Sequence, residues 1–394
     1  MPHRFSRRMF LGGAAAFAAS RVAIGEEPVI QGFEDTGSNT DPSAAWTPVS
    51  DRRIRVGIAG YGVCKFGAAF GFQDHPNVEV VAVTDLIPER RDGLAKACRC
   101  ETTYESLEAM LKDDRIEAVF VATDAPSHAG HCIAAVEHGK HVATAVPAMY
   151  GSLEEGDALY QAVKKSGLTY MMFETSAFHD DCFAMRKLFQ QGAFGRMLYC
   201  EGEYYHYMQE PIDSYKGWRV GLPPQWYPTH SNAYYSCVTG GRFTEVSCTG
   251  TPSTVGHLRP ENNPYKNPFG TEIAHLKTSD GALARMAVSW DTPGYPGEMG
   301  RVRGERGSMH GLHFDGLEHY DPETLKKPAL PPGVAAGGHG GSHGYLGNEF
   351  ITAILQEREP LVHLRLALNM TAAGIQAHAS ALKDGKWLKI PQWD

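Results

Sequence analysis

The sequence lacks most features that would assign it to a special class. Beyond a short Ala/Gly-rich stretch near the start, its 394 residues hold no apolar run of membrane length, so no membrane-spanning helix is expected. Beyond the N-terminus there is no run of basic residues, and the net charge is -8. Nucleic acid and anionic membrane surfaces are therefore not expected partners. The eight cysteines, at 64, 98, 100, 132, 182, 200, 237 and 248, show no CxxC pair and no regular spacing. That argues against a disulfide framework, and Cys98-x-Cys100 is too short for a zinc knuckle, so no metal site is expected. No internal repeat occurs. What remains is length for two domains and many aromatics, 17 Tyr and 6 Trp among them.

The N-terminus is specific. In "HRFSRRMFLGGAAAFAAS", Ser6-Arg7-Arg8-Met9-Phe10-Leu11 precedes a short, mildly apolar stretch. This resembles the twin-arginine export signal of bacteria. It implies the twin-arginine export machinery as a partner and a periplasmic or otherwise exported location. The expected organisation is a signal at 1–25, a Gly/Pro/Ser-rich linker at 26–50, a dinucleotide-binding domain at 51–173 and a substrate-binding, catalytic domain at 174–394.

"RIRVGIAGYGVCKFGAAF" reads as a strand, Ile54 to Ile58, a glycine turn and the start of a helix. Those are the parts that hold a pyrophosphate: Gly60 for the tight turn, Gly62 for close backbone approach, with Val63 and Cys64 completing the loop. Lys65 stands at the third glycine position of GxGxxG. A second strand, Val78 to Thr84, ends in Asp85, which can accept hydrogen bonds from a ribose diol and repels a 2′-phosphate. NAD is the expected cofactor. Strands follow at Ile116 to Asp124 and in "HVATAV", with helices at 88–97, 106–112 and 128–138. Such alternation predicts a parallel α/β Rossmann sheet. Thr123 and His128, at the crevice end of this pattern, are expected cofactor contacts. His128 and His131 could share a metal, but a helix-start or cofactor role fits better. A flavodoxin-like domain using glycine only for turns is the competing reading.

"RVGIAGYG", the strand ending "AVTD", "VATDAPSHAGHCIAAVEHGKHV" and "LFQQGAFGRMLYCEGEY" follow one another as in the glucose–fructose oxidoreductase/inositol dehydrogenase (Gfo/Idh/MocA) family. The resemblance runs from about residue 52 through nearly the whole chain. It implies a Rossmann domain followed by an α+β domain with a large, mostly antiparallel, open-faced sheet that covers the nicotinamide and forms the substrate pocket. It also implies a homo-oligomer. A narrower likeness is to exported NAD-dependent glycoside hydrolases acting on N-acetylgalactosamine, through Val146-Pro147-Ala148, Trp218-Arg219 and Tyr227-Pro228-Thr229-His230. Most relatives carry Glu-Lys-Pro where Ala145-Val146-Pro147 stands; those hydrolases have Glu at Ala145 and usually Asn at Thr175. Val146 and Pro147 can still shape the cofactor pocket through their backbone, but this turn offers no proton.

The chemistry is therefore expected from the second domain. "MLYCEGEYYHYM" alternates as a strand with Tyr204 and His206 on one face, suited to stacking and bonding a sugar; an amphipathic edge strand is the alternative. Trp218 can stack on a pyranose and Arg219 can fix hydroxyls or a carboxylate. His230 is the expected base for a substrate hydroxyl, with Tyr227 relaying or donating the proton; a helix-capping role is the alternative for His230. "AAGGHGGSHGYLGNEF" places His339 and His343 in what reads as a mobile active-site loop, and the last stretch holds one helix, Leu364 to Lys383. The expected activity is hydride transfer between NAD and a carbohydrate: a sugar, glycoside or cyclic polyol. Outside the cytoplasm no free NAD pool is expected, so the cofactor would be recycled in place. An NAD-dependent glycosidase working by oxidation, elimination, hydration and reduction is the alternative, and a non-catalytic NAD- or sugar-binding protein a third reading.

Overall fold

The computed structural model describes residues 46–294 and 297–394. The expected signal, and the linker up to residue 45, lie outside the described residues. Six strands form a parallel sheet: β1 (Ile54–Ala59), β2 (Val78–Thr84), β3 (Thr103–Tyr104), β4 (Ala118–Val121), β5 (His141–Ala145) and β6 (Tyr170–Phe173), in the order β3-β2-β1-β4-β5-β6. β4 and β6 are buried at every position, because a parallel sheet is covered on both faces and its strands read as unbroken apolar runs. The strand expected over 116–124 is shorter, since only Ala118–Val121 pair with both neighbours. The helix expected over 106–112 is likewise only Leu107–Met110, started by the Ser106 hydroxyl, which accepts from the Ala109 amide. Helices Pro88–Cys98, His128–Glu137 and Leu153–Ser166 cover the sheet.

Eight strands form the second sheet: β7 (Met197–Tyr205), β8 (Phe243–Pro252), β9 (Phe269–Thr278), β10 (Leu283–Ser289), β11 (Glu298–Gly304), β12 (Gly307–His310), β13 (His313–Gly316) and β14 (Leu388–Lys389). Their order is β13-β12-β11-β7-β10-β9-β8-β14, antiparallel except between β7 and β10. One face carries the helices Thr229–Thr239 and Leu364–Ala381. The other is open and bears an ion-pair network in which Arg285 reaches Glu203 at 2.7 Å and Glu201 at 3.2 Å. The helix Thr229–Thr239 lies unusually close to the sheet. A Cβ on Gly202 would overlap the Ser231 carbonyl oxygen, and one on Gly300 would overlap the Tyr234 ring.

The division expected after residue 173 falls at the end of β6, but the chain later returns to the first sheet. The Met172 amide donates to the Val362 carbonyl at 3.0 Å. Phe350, in the helix His343–Leu355, joins Phe72 and Phe173 in an aromatic cluster. Residues 343–363 thus belong to the first core in space, though not in sequence.

Candidate active site

One cleft runs between the two sheets. It is lined by the glycine turn and Asp85 at one end and by Tyr204, His206, Trp218, Arg219, Tyr227, His230 and His339 at the other. Of the expected cofactor contacts, Gly60, Gly62, Val63, Cys64, Asp85, Thr123, His128 and Val146 line it; Pro147 does not. Gly60 and Gly62 have φ of 96° and 64°. A Cβ on Gly60 would overlap the Ala122 carbonyl, whereas above Gly62 the space is open, as close approach of a ligand backbone requires. The helix after the turn is only Phe66–Ala69, shorter than expected, so anion binding falls to the loop amides and not to a helix dipole. Asp85 completes this corner: its Oδ2 accepts from the Tyr61 amide at 2.8 Å and the Gly62 amide at 3.4 Å, and its Oδ1 from the Ile87 amide at 2.9 Å. These residues fit a dinucleotide with an unphosphorylated ribose.

His128 and Pro147 meet in an unexpected way. The His128 ring is buried, with Nδ1 2.9 Å from the Pro147 carbonyl and Nε2 3.2 Å from the Thr123 carbonyl. Burial lowers its pKa. It is a bracket between the ends of β4 and β5, not a metal ligand with His131, whose Nδ1 is 2.8 Å from the Thr123 hydroxyl. No group of three or more His, Cys, Asp or Glu side chains able to hold a metal ion occurs among the described residues. The Val146–Pro147 peptide is cis.

On the other wall His230 is 3% exposed, one residue into the helix Thr229–Thr239. Its Nδ1 is 2.8 Å from Glu174 Oε1, 4.0 Å from Glu298 Oε2 and 3.3 Å from the Thr175 hydroxyl. Burial alone would lower the His230 pKa, but Glu174 and Glu298 together raise it to about 9. Burial likewise opposes the charge on Glu174, and His230 holds that carboxyl below its usual range. Glu298 Oε2 also accepts from the Ser176 hydroxyl at 2.6 Å and lies 3.6 Å from His179 Nε2. With Nδ1 tied to a carboxylate, Nε2 of His230 is left for the cleft. The Tyr204 ring stacks edge-on against His230, 4.5 Å between centroids, and its hydroxyl is 2.9 Å from His206 Nδ1. Burial and the Arg219 charge push His206 down to about 4. The Arg219 guanidinium lies 4.1 Å from the Trp218 ring centroid and 5.9 Å from that of Tyr227, whose pKa burial raises. The strand expected to reach Met208 ends at Tyr205, yet the His206 and Met208 amides still donate to the Ser289 and Trp290 carbonyls.

Glu174, Glu298 and His179 were not among the expected residues. An acid directly after the apolar "YMMF", at the carboxyl end of a parallel strand, is a signal that could have found Glu174. Glu298 opens a strand 124 positions later, and nothing local marks it. The segment expected to be a mobile loop instead packs down: Gly338, Gly341 and His343 are buried and His339 lines the cleft. Glu349 bonds Arg358 at 2.7 Å and has no part in the site.

A parallel sheet with a glycine turn after its first strand, an open-faced second sheet and a histidine–carboxylate pair at their junction define a two-domain α/β and α+β architecture. The chain belongs to the Gfo/Idh/MocA family. The family's domain described as "Oxidoreductase family, NAD-binding Rossmann fold" matches residues 54–174, and its C-terminal domain matches residues 183–310. Among curated relatives, Glycosyl hydrolase family 109 protein 1 of Bacteroides thetaiotaomicron is 34% identical over 179 residues, 42% of this chain and 38% of the relative. A Glycosyl hydrolase family 109 protein of Saccharopolyspora erythraea is 24% identical over 284 residues, 64% of this chain and 62% of the relative. The matches thus span less than two thirds of either relative. A levoglucosan dehydrogenase solved with NADH and levoglucosan has the same fold, with a TM-score of 0.70 at 19% identity over 87% of this chain and 100% of that one. The scyllo-inositol dehydrogenase of Lactobacillus casei matches with a TM-score of 0.68 at 18% identity over 86% and 99%.

Proposed function

We propose that the chain oxidises a hydroxyl of a sugar, glycoside or cyclic polyol by hydride transfer to tightly held NAD, and returns the hydride before the cofactor leaves. The observation that carries this reading is His230, held by Glu174, in one cleft with the glycine turn and Asp85. Bound NAD supplies the hydride acceptor. Trp218 and Tyr204 offer ring faces to a pyranose, and Arg219 and His206 offer polar atoms to its hydroxyls. His230 handles the hydroxyl proton through Nε2, with Tyr227 beside it at 5.7 Å between ring centroids. With its pKa at about 9, the free imidazole is charged at neutral pH and ready to donate. Accepting a proton needs higher pH or a second positive charge in the cleft, which lowers the pKa by Coulomb repulsion. A group able to work in both directions suits a redox-neutral cycle.

The second reading, an NAD-dependent glycosidase, is supported by the likeness to Glycosyl hydrolase family 109 proteins. Mass spectrometry of the purified protein should find NAD bound, and a sugar panel should give transient NADH absorbance. Aryl glycosides of both anomers separate the readings, because aglycone release without net NADH requires the glycosidase. If purified protein holds no NAD and consumes it stoichiometrically, recycling in place is wrong.

Export through the twin-arginine route, with NAD loaded before transport, is part of this proposal and rests on Arg7-Arg8. Replacing both with Lys should retain the protein in the cytoplasm. Among the described residues no helix is long and apolar enough to cross a membrane. A homo-oligomer formed through the open face of the eight-stranded sheet is likewise proposed, and sedimentation would test it.

A further inference from the structure

The two walls of the cleft also meet near Asp85. Arg90, in the first turn of the helix Pro88–Cys98, has its guanidinium 3.6 Å from Asp213 Oδ2. Leu86 and Arg90 of the first domain line the cleft, and so do Ile212, Asp213 and Tyr215 of the second. Leu86 is 58% exposed and Tyr215 37%, high values for large side chains that line a cleft. A flat aromatic ligand between them would take both out of water.

The segment from Gln209 to Tyr215 is a strap tied at both ends. Before it, the Met208 amide donates to the Trp290 carbonyl at 2.8 Å, and His257 Nε2 lies 3.0 Å from the Met208 carbonyl. At its far end the Ser214 carbonyl accepts from the Gly217 amide at 2.9 Å, and the Ser214 hydroxyl from the Arg219 amide at 3.2 Å. Lys216 and Gly217, with φ of 54° and 66°, turn the chain sharply there. Between these anchors, residues 209–213 make no backbone–backbone hydrogen bond among the described residues. Ile212 packs on the apolar cluster that holds Trp218 and Leu222. One apolar side chain and one ion pair therefore hold the middle of the strap down, and the ion pair is open to solvent, with the Asp213 side chain 78% exposed.

We propose that residues 209–215 form a clasp over the adenosine half of NAD, closed by the Arg90–Asp213 pair, with Tyr215 and Leu86 taking the adenine between them. Asp85 suits the ribose diol, so the adenine attached to that ribose falls to the residues that follow Asp85. The first domain alone offers the adenosine one wall; the strap supplies the other. With the clasp shut, NAD leaves only after Asp213 lets go of Arg90. This rests on the retention of NAD in the proposed function. A cofactor recycled in place must outlast many substrate exchanges, and those occur at the His230 end of the cleft while the clasp holds the Asp85 end.

The rate of NAD release from the full holoprotein tests this, read as NADH absorbance when released NAD is trapped by added alcohol dehydrogenase and ethanol. Asp213→Asn and Arg90→Gln should each speed release about threefold, within the range of one exposed ion pair. The double variant should release no faster than either single one, and Arg90→Asp combined with Asp213→Arg should bring the rate back to the wild-type value. Tyr215→Ala should speed release roughly tenfold, the loss of one stacked base. Release at the wild-type rate from Asp213→Asn or from Tyr215→Ala overturns the clasp. So does faster release from Arg90→Gln without the same change in Asp213→Asn, because Arg90 would then hold NAD without the second domain. If the wild type itself loses NAD within seconds, recycling in place fails, and the ratios between variants still decide the clasp.

Discussion

Nδ1 of His230 sits 2.8 Å from Oε1 of Glu174, a residue 56 positions earlier in the chain and fully buried. The pair joins the end of β6 to the helix that backs the second sheet, so the proton at His230 is tied to the junction of the two domains. The His230 pKa is raised from 6.5 to about 9, so the folded state binds this proton more tightly than the unfolded chain. The stabilisation is complete below about pH 6.5 and is lost as pH rises through about 9. It amounts to on the order of 3 kcal/mol. Urea unfolding at pH 6 and pH 9.5 should show the loss, and Glu174→Gln should flatten it. Equal stability at both pH values in the wild type would sink the pairing.

If the proposed function holds, the same pair should set the pH dependence of turnover. Glu174→Gln removes a negative charge that raises the His230 pKa, so the pH at which His230 loses its proton should fall toward the ordinary histidine value. His230→Ala should lower turnover on the order of 100- to 10,000-fold with NAD retained. Unchanged turnover would remove His230 from the chemistry.

Asp85 should decide cofactor choice. Asp85→Asn keeps the shape but removes the charge that favours a ribose diol and repels a 2′-phosphate. NAD affinity should drop roughly tenfold or more, the size of one charge-assisted hydrogen bond, and the preference over NADP should narrow. Titration calorimetry with both cofactors measures this, and an unchanged preference would mean that discrimination lies elsewhere. Part of the loss will come from the Tyr61, Gly62 and Ile87 amides that Asp85 also receives.

Gly202→Ala tests whether helix height matters. The new methyl group would meet the Ser231 carbonyl and lift the helix that carries His230. Turnover should fall more than NAD affinity, because the glycine turn and Asp85 are on the other wall. Equal losses of both would point instead to global unfolding, which the thermal midpoint would reveal.

The first domain was largely legible in the sequence because most of its strands are apolar runs bounded by turn residues; β2 falls on Val78–Thr84 as expected. β3 and β6 were not among the expected strands: Thr103 and Tyr104 are too few to show any period, and Tyr170–Phe173 is a run of only four residues. In the second domain Tyr204, His206, Trp218, Arg219, Tyr227 and His230 carry side chains whose chemistry announces them, and all line the cleft. Their partners were harder. Glu174, Glu298 and His339 reach His230 only through long-range packing, and no local pattern encodes a contact across 56 residues or more. The glycines of 337–341 suggested mobility, but here they let the backbone turn tightly enough to bury its neighbours.

His128 lies buried between two backbone carbonyls, and the turn it braces carries no acid or base. In the proposed function the first domain therefore contributes backbone amides and one acid suited to a ribose, while the proton-handling side chains come from later in the chain. Such a division makes the two halves separately evolvable. Substrate preference and even reaction type can drift through the second sheet and its loops without retuning the cofactor site. A chimera carrying the first domain of a relative should keep the substrate range of this chain and inherit only the donor's cofactor preference.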